Sequence, residues 1–335
     1  MELTGGKIIR NETNENSMGG TELSALSLFN RLETSLMQEF QIFHGRIREL
    51  DESKIRIAVM HDLPEDPECS KLKDHNFRAK FHKIVYVSNW QYTRFQHVLG
   101  IPYSENDIIL ENGIEPIDLN PNKNNDTINL VYTSTPQRGL GILIPVFRVL
   151  QEHFKNIHLH VFSSFKIYGW DEMDRQFQNL YDECNNNPGI TYHGFQPLEV
   201  VREQLSLSHI LAYPCMWQET SCRALIEAMS AGLLCVHPNF AALPDTSGGL
   251  NMMYQGDINP TTHANIFLGV MHSAITQVVE NKLENYLKYV KTYADNRFNI
   301  AKIANQWDFI MRELSEKYSN PESRKFRKDI LIFKT

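Results

Sequence analysis

Short apolar runs alternate with longer amphipathic segments through most of the chain. The short runs are rich in Val and Ile and end in polar residues, Gly or Pro: KIRIAVMHD, FHKIVYVSN, TINLVYTST, NIHLHVFSS, SHILAYPCM and GLLCVHPN. Runs of this kind are typical of buried parallel β-strands. The segments between them have apolar residues at helical spacing: TELSALSLFNRLE, GILIPVFRVLQEHF, PLEVVREQLSLS and CRALIEAMSA. The pattern predicts an α/β fold of βαβ units, with parallel sheets and helices on both faces.

The segment EPIDLNPNKNNDTI, residues 115–128, interrupts this alternation. It contains two prolines, four asparagines and few apolar residues, a composition typical of a connection between domains. A chain of 335 residues is long enough for about two domains. We therefore predict an N-terminal domain over 1–118, a second domain over 119–305, and a C-terminal helix and tail over 306–335 that pack back on the body.

Composition and charge narrow the class of protein. The chain is 42% hydrophobic and 22% charged, which is typical of a soluble globular protein. Its formal net charge of −7 argues against nucleic acid as a partner, so any anion that it binds needs a local site. No apolar run approaches about 18 residues, and the N-terminus lacks the apolar core of a signal peptide. We therefore expect a cytoplasmic protein without a transmembrane segment, although peripheral contact with a membrane stays open.

The cysteines indicate neither a disulfide framework nor a zinc site. They are odd in number, and their spacing does not match that of metal ligands. We expect reduced thiols that serve mostly as small core residues: Cys69, Cys184, Cys215, Cys222 and Cys235.

The stretch YPCMWQETSCRALIEAMSAGLLCVHPNF, residues 213–240, contains two glutamates around the start of a short helical segment. With the strand before it, it resembles the signature region of the retaining nucleotide-sugar glycosyltransferases of family 4, also called glycosyl transferases group 1. The residues that match in order and spacing are Pro214, Glu219, Glu227, Ala228, Met229 and Gly232. Three further segments are similar to parts of the same family: SMGGTELSALSLFNRL, IVYVSNWQYTRFQHVLGIPYSENDIILENGIEPID and NLVYTSTPQRGLGILI.

The resemblance implies the GT-B fold, in which two facing Rossmann-like domains with parallel sheets enclose a cleft. It implies transfer of a sugar from a nucleotide-sugar donor, with UDP- or GDP-sugars as the first candidates, to a glycan, lipid or protein acceptor. The anomeric configuration would be retained. We find no Asp-x-Asp, the motif of metal-dependent GT-A enzymes, so we expect no required metal and no cofactor beyond the donor.

The family's phosphate-binding elements fall on identifiable positions. The N-terminus of the helix that we predict to begin near Ser221 offers backbone N–H groups and a positive dipole end to a pyrophosphate. Thr220 and Ser221 are suitable capping residues, and Cys222 follows them. Arg138 occupies the place of a family Lys that contacts the phosphates, and its planar fork suits a phosphate.

One phosphate-binding position departs from the family pattern. Thr133 stands where the family usually has an arginine. Lys166, which follows a strand in SSFKIYGW, is a candidate to supply the missing positive charge.

The resemblance implies that each of the two glutamates binds one of the two sugars of the donor. Glu219 would face the transferred sugar, and Glu227 would accept hydrogen bonds from the ribose hydroxyls. The alternative is that Glu227 forms an ordinary exposed i,i+4 ion pair with Arg223.

Candidate residues outside this stretch each have a structural alternative. His61, after the run KIRIAVM, would contact the donor sugar or the transition state, or serve only the structure. Gly19 and Gly20 would allow close approach of the backbone to the donor or acceptor, or form a turn. His193, in YHGF, would lie near the nucleobase, or simply end a strand.

Two other functions stay open at this stage. One is a phosphorylase or epimerase-like enzyme with the same fold, and the other is a catalytically silent protein that binds nucleotide sugars. The N-terminal domain is short for the family, which suggests that some of its strands and helices are absent.

Overall fold

The computed structural model describes residues 19–326, except Arg48 and Asn125. Residues 1–18, with the first part of the SMGGTE motif, and the end of the predicted C-terminal tail, 327–335, lie outside the described residues. All statements below concern the described part of the chain.

The strands belong to two parallel sheets. In chain order they are β1 Phe40–His44, β2 Ile55–Met60, β3 Lys83–Tyr86, β4 Asp107–Ile109, β5 Ile128–Thr133, β6 Ile157–Phe162, β7 Ile190–Tyr192, β8 Ile210–Ala212, β9 Leu234–Pro238 and β10 Met252–Tyr254. The six apolar runs noted in the sequence correspond to β2, β3, β5, β6, β8 and β9, so the predicted α/β class with parallel sheets is confirmed.

Helices separate most of the strands. In chain order they are α1 Gly20–Phe29, α2 Thr34–Met37, α3 His75–Arg78, α4 Asn89–Leu99, α5 Leu140–His153, α6 Gln178–Asn185, α7 Leu198–Leu207, α8 Arg223–Ser230, α9 Leu243–Ser247, α10 Pro260–Val279, α11 Glu284–Arg297 and α12 Ile300–Lys317. None of the helices in the described part of the chain is long and apolar enough to span a bilayer.

The chain forms two compact units, and the C-terminal helix belongs to the N-terminal one. Of the described residues, the first unit comprises Gly20–Gly113 and residues 300–326, and the second comprises Gly19 and Ile114–Asn299. These divisions differ from the boundaries predicted at 118 and 305. The chain returns to its first unit at α12, and the predicted separate segment 306–335 begins within that helix.

The N-terminal unit is a four-stranded sheet in the order β1-β2-β3-β4, with helices on both faces. Ile57 and Val59 of β2 pack into the core that includes α1 and α12, whereas Ala58 and Met60 pack into the core that includes Phe95 of α4. This alternation follows from the two-residue period of a strand and explains why the whole of β2 is buried.

A buried arginine fixes the backbone near Arg324 to this unit. Arg56 of β2 is 2% exposed. Its guanidinium donates to the carbonyls of Asp51 at 2.9 Å, Lys54 at 2.8 Å, Lys80 at 2.6 Å and Arg324 at 2.6 Å. Because a buried guanidinium needs acceptors for its N–H groups, these carbonyls determine where residues near 324 lie.

The C-terminal unit is a six-stranded parallel sheet in the order β10-β9-β8-β5-β6-β7. The order runs outward in both directions from β5, which pairs with β6 on one side and β8 on the other. This is the strand order of a doubly wound, Rossmann-type sheet. Ligands of such sheets bind beyond the carboxyl ends of the strands at the point where the order reverses, here between β5 and β8.

The loops that follow β5 and β8 touch at a glycine. Gly139 has φ +123°, and a Cβ atom built there would lie 2.2 Å from the carbonyl oxygen of Pro214. Only glycine fits this approach without displacing the backbone. The two loops of the reversal point are therefore in direct backbone contact.

The segment after Gly113 is anchored by the EAMSAG motif. The backbone N–H of Ile117 donates to Ser230 Oγ at 2.8 Å, and Lys291 Nζ donates to the carbonyl of Ile117 at 2.5 Å. A Cβ at Gly232 would lie 2.6 Å from Leu119 Cδ2. Ser230 and Gly232 thus have a packing role that the motif alone does not reveal.

All five cysteines are buried and free, as the sequence predicts. Four of them lie in the core of the C-terminal unit, and Cys69 lies in that of the N-terminal unit.

In each unit a buried histidine accepts a hydrogen bond from a strand. His82 Nδ1 accepts from the backbone N–H of Arg56 at 2.9 Å, and His209 Nδ1 accepts from that of Asn129 at 3.0 Å. A ring nitrogen that accepts must be unprotonated. Burial, followed by the nearby positive charge of Arg56 or of Lys123, lowers the pKa of each ring from 6.5 to about 4.

These histidines predict that the protein loses stability in mild acid. Between pH 6.5 and about 4 the unfolded chain binds protons that the folded histidines do not, so the free energy of unfolding falls as the pH is lowered. Each pKa unit of difference contributes about 1.4 kcal/mol. Urea unfolding at pH 7 and pH 5 measures the effect. His209→Asn, which keeps an acceptor near the Nδ1 position but does not titrate, should show a smaller fall, whereas exposed His97→Asn should match the wild type. Equal falls in all three proteins would contradict the prediction.

The contact at Gly139 predicts a large cost for one added methyl group. Gly139→Ala places its Cβ against the Pro214 carbonyl and requires a positive φ, so we expect a loss of several kcal/mol, on the order of 2 to 4. Gly141→Ala is the matched control, because its Cβ would meet only Leu180 Cδ1, at 3.8 Å, inside α5. There alanine should be neutral or stabilise by about 0.5–1 kcal/mol. If the urea midpoints of both variants shifted from that of the wild type by the same amount, this account would be contradicted.

Candidate active site

The reversal point between β5 and β8 brings together an arginine and a glutamate from distant parts of the sequence. Arg138 ends the 3₁₀ helix Pro136–Arg138 after β5, and Glu219 lies in the loop between β8 and α8. Arg138 Nη1 is 3.2 Å from Glu219 Oε1. The carboxylate is only 6% exposed, so it is a buried charge that needs a partner.

A tyrosine completes the surroundings of this carboxylate. Tyr213, immediately after β8, donates its hydroxyl to Glu219 Oε1 at 2.6 Å. Cys215 Sγ is 4.0 Å from the same oxygen. These three contacts of the Glu219 side chain all fall on Oε1.

The arginine of the pair is firmly charged. Burial, the largest single influence, lowers the pKa of Arg138, but Glu219, Tyr168, Tyr213 and Cys215 together raise it, and the pKa lies above its usual range. The guanidinium therefore stays positively charged beside the Glu219 carboxylate.

Several buried polar atoms around this pair have no hydrogen-bond partner among the described residues. They lie at the carboxyl ends of β5 and β6: Thr133 Oγ1, Thr135 Oγ1, Gln137 Oε1, Arg138 Nε and Ser163 Oγ. Thr135 is 4% exposed and Ser163 is 2% exposed. Because buried polar groups in folded proteins are normally paired, such a group of unpaired atoms is typical of a site that awaits a polar ligand.

The helix after Glu219 begins later than the sequence suggests. It starts at Arg223, and its N-cap is Cys222, with φ −92° and ψ 94° and no side-chain cap. The prediction that Thr220 and Ser221 cap this helix is wrong, because the chain reaches helical angles only after Cys222.

Glu227 lies inside α8 and is 5% exposed. Its Oε1 is 3.0 Å from Arg223 Nη2 and 3.5 Å from Arg202 Nη1. The i,i+4 pair with Arg223 therefore forms, but it is buried, not exposed as the alternative supposed. Arg202 also donates to the carbonyls of Glu115 at 2.8 Å and Pro116 at 3.0 Å, so it ties the carboxylate to the start of this unit.

The remaining donor-site candidates of this unit lie at the same edge of the sheet. Thr133 is the last residue of β5. Lys166 is exposed on the 3₁₀ helix Phe165–Tyr168, which follows β6. His193, after β7, stacks on Phe162 with ring centroids 4.1 Å apart.

The histidines of β6 form no metal site with their neighbours. His160 Nδ1 lies 3.1 Å from His193 Nε2, and the two rings are stacked. Burial, followed by the neighbouring His158 and His193, lowers the pKa of His160 to about 4. No group of three or more potential metal ligands occurs in the described part of the chain.

His61 follows β2 in the N-terminal unit and pairs with another histidine. His61 Nε2 is 3.1 Å from His44 Nδ1, and the rings stack with centroids 5.4 Å apart. Both line a cavity of about 20 Å³ within this unit. Burial lowers the pKa of His61 to about 4, so the ring is neutral at physiological pH.

The two glycines of the N-terminal motif lie at the start of α1. Gly19 is buried, and Gly20 is the first residue of the helix. A Cβ at Gly20 would meet no described atom within 4 Å, so the packing of the protein itself does not require glycine there.

Sequence patterns anticipated Arg138 and Glu219 but not their neighbours. Tyr213 continues an apolar run, and nothing in that run shows that its hydroxyl reaches a carboxylate. Arg202 and His44 lie in segments without a motif. The sequence does give one indirect signal. A glutamate in a helix as apolar as α8 requires a cation nearby, but the sequence does not show which residue supplies it.

Comparison with known proteins adds a family match and a set of similar folds. Residues 114–247 match the family model "Glycosyl transferases group 1". No curated protein sequence matches the chain significantly.

The solved structures with similar folds are distant in sequence. A glycosyltransferase from Rickettsia africae ESF-5 has a TM-score of 0.66 and 14% identity, over 90% of this chain and 83% of that one. HepE from Anabaena, in complex with UDP and glucose, has a TM-score of 0.60 and 12% identity, over 88% and 81%. A TarM variant from S. aureus, in complex with Fondaparinux, alpha-GlcNAc-glycerol and UDP, has a TM-score of 0.60 and 12% identity, over 86% and 58%.

The present chain therefore spans less than two thirds of the length of TarM. The neighbours are GT-B glycosyltransferases, in agreement with the predicted fold class. The family match lies within the C-terminal unit, and the solved structures show a similar fold.

Proposed function

We propose that this protein is a retaining glycosyltransferase that moves a sugar from a nucleoside-diphosphate sugar to an acceptor and needs no metal ion. The observation that supports this best is the buried Arg138–Glu219 pair at the reversal point, surrounded by unpaired polar atoms. A ligand with a charged phosphate end and a hydroxyl-rich end would satisfy both the cation and the unpaired groups.

The phosphate end of the donor would meet Arg138 and the start of α8. Arg138 keeps Nη1 on Glu219, while its buried Nε has no partner in the described residues and can donate to a phosphate oxygen. The N-terminus of α8 adds backbone N–H groups and a positive dipole end. These fixed positive groups would stabilise the leaving diphosphate in the absence of a metal.

The two glutamates would bind the sugar hydroxyls. Because Arg138 and Tyr213 occupy Oε1 of Glu219, Oε2 is the oxygen that would accept a hydroxyl of the transferred sugar. Glu227 would accept from the ribose hydroxyls, and Arg223 and Arg202 would compensate its charge in the interior. Lys166 is proposed as a further cation for the phosphates, and His193 as a residue near the base.

The contacts of Glu219 favour a reaction that retains the anomeric configuration. Arg138 and the Tyr213 hydroxyl already engage one of its oxygens, so we assign Glu219 to sugar binding rather than to proton transfer. We therefore propose that an oxygen of the departing phosphate assists deprotonation of the acceptor on the same face of the sugar.

UDP is the first candidate for the nucleotide. The TarM and HepE structures were determined with UDP, and so was that of the pneumococcal O-GlcNAc transferase GtfA. We further propose that the N-terminal unit provides the acceptor side of the reaction, with the neutral His61 as a contact to the donor sugar or the transition state.

A thermal-shift screen tests the donor. A ligand that binds only the folded protein raises its melting temperature by mass action, by an amount equivalent to about 2.7 kcal/mol at a hundredfold excess over Kd. We expect the largest shift with a UDP-sugar among UDP-, GDP-, ADP- and CMP-sugars. The absence of a shift with any of them would contradict the proposal, and a shift without sugar transfer to any glycan, lipid or peptide acceptor would indicate a binding protein. Sugar release that depends on inorganic phosphate would indicate a phosphorylase.

Substitution of Glu227 tests its assignment to the ribose. We expect Glu227→Gln to weaken nucleotide-sugar binding by about 1.5–3 kcal/mol, because a hydrogen bond to a charged acceptor is lost. Isothermal titration with UDP measures the loss directly. Glu203→Gln, at an exposed position of α7, is the matched control and should bind as the wild type does. Unchanged affinity of a folded Glu227→Gln protein would remove this residue from the site.

A further inference from the structure

Tyr213 is the uncharged hydrogen-bond donor to the Glu219 carboxylate, beside the charged Arg138. Its ring is fully buried, and its hydroxyl is 2.6 Å from Glu219 Oε1. We propose that Tyr213 is a positioning residue, which holds Glu219 so that Oε2 faces the transferred sugar of the donor. This inference rests on the proposed function, and it concerns recognition of the sugar rather than of the nucleotide.

The backbone and the core fix the tyrosine ring in place. The backbone N–H of Tyr213 donates to the carbonyl of Val236 in β9 at 3.0 Å, and its carbonyl accepts from Cys215 at 2.8 Å. Its ring is tilted against that of Tyr132, with centroids 5.9 Å apart. A hydroxyl on a ring held in this way has a defined position, so it can define the position of its acceptor.

The second contact on Glu219 matters because Arg138 has two tasks in the proposed reaction. If Arg138 alone held the carboxylate, any shift of its guanidinium when Nε binds a phosphate would also move Glu219. The hydroxyl of Tyr213 provides a contact that does not depend on the donor's phosphates. Glu219 can therefore keep its orientation when Arg138 engages them.

The tyrosine also remains a donor throughout the pH range of the folded protein. Burial, followed by the neighbouring Cys215 and Glu219, raises the pKa of Tyr213 well above its usual range. The hydroxyl therefore stays protonated.

The neighbouring Tyr132 is a natural comparison. It is also fully buried, but its hydroxyl donates to the backbone carbonyl of Thr135 at 2.8 Å and not to a carboxylate. Tyr132→Phe and Tyr213→Phe each remove one hydroxyl from the same core. Only the hydroxyl of Tyr213 donates a hydrogen bond to Glu219.

Isothermal titration with UDP and with UDP-glucose separates sugar recognition from nucleotide binding. For Tyr213→Phe we expect an unchanged Kd for UDP and a loss of about tenfold in the ratio of UDP-glucose affinity to UDP affinity, the effect of one hydrogen bond to a charged group. Tyr132→Phe should keep the wild-type ratio. An unchanged UDP affinity also shows that each variant has a folded site.

A double-mutant cycle with Glu219→Gln separates positioning from general packing. If Tyr213 acts through Glu219, adding Tyr213→Phe to Glu219→Gln should change the ratio far less than it does in the wild type. Two outcomes would overturn the positioning role alone. One is that the effects of the two substitutions on the ratio of UDP-glucose to UDP affinity are fully additive. The other is that Tyr213→Phe keeps the wild-type ratio while Glu219→Gln lowers it. A wild-type ratio for Glu219→Gln itself would overturn the proposed sugar contact, on which the inference depends.

Discussion

The pairing of β5 with β8 is the constraint on which the candidate site depends. Leu130 pairs with Ile210 and Val131 with Leu211, so the loops after these strands leave the sheet side by side. The strand order reverses there, which in open α/β sheets leaves a crevice for a ligand beyond the carboxyl ends of the strands. Arg138 and Glu219 meet for this reason, and the contact between Gly139 and Pro214 sets their spacing.

Two buried carboxylates at this edge are each balanced by arginine. An uncompensated carboxylate inside a protein costs several kcal/mol, on the order of 3 to 5 when one partner of a buried pair is removed. Glu219 has Arg138, and Glu227 has Arg223 and Arg202. Arg138 thus stabilises the interior and would also meet the anionic donor, whereas Arg223 and Arg202 compensate Glu227. One charged side chain, Arg138, would therefore serve both the stability of the interior and the binding of the ligand.

The N-terminal unit shows how far the chain order departs from the spatial order. Its four strands come from the first third of the sequence, yet α12 covers one face of the sheet and Arg56 binds the carbonyl of Arg324. The proline- and asparagine-rich segment at 115–128 indicated a crossing between units near the right place. The return crossing before Ile300 has no such signal, because α11 and α12 follow each other almost without a loop.

The sequence by itself determined the α/β class, six of the strands and the motif with Glu219 and Glu227, because strand runs and helix periods are local properties. It misplaced the start of α8 by assigning capping to Thr220 and Ser221, since capping depends on backbone angles that the loop after β8 imposes. Only the tertiary structure decided that Tyr213 and Arg138 meet on one oxygen of Glu219. Contacts of this kind join residues far apart in the chain, and their geometry follows from strand pairing and core packing, which no local pattern specifies.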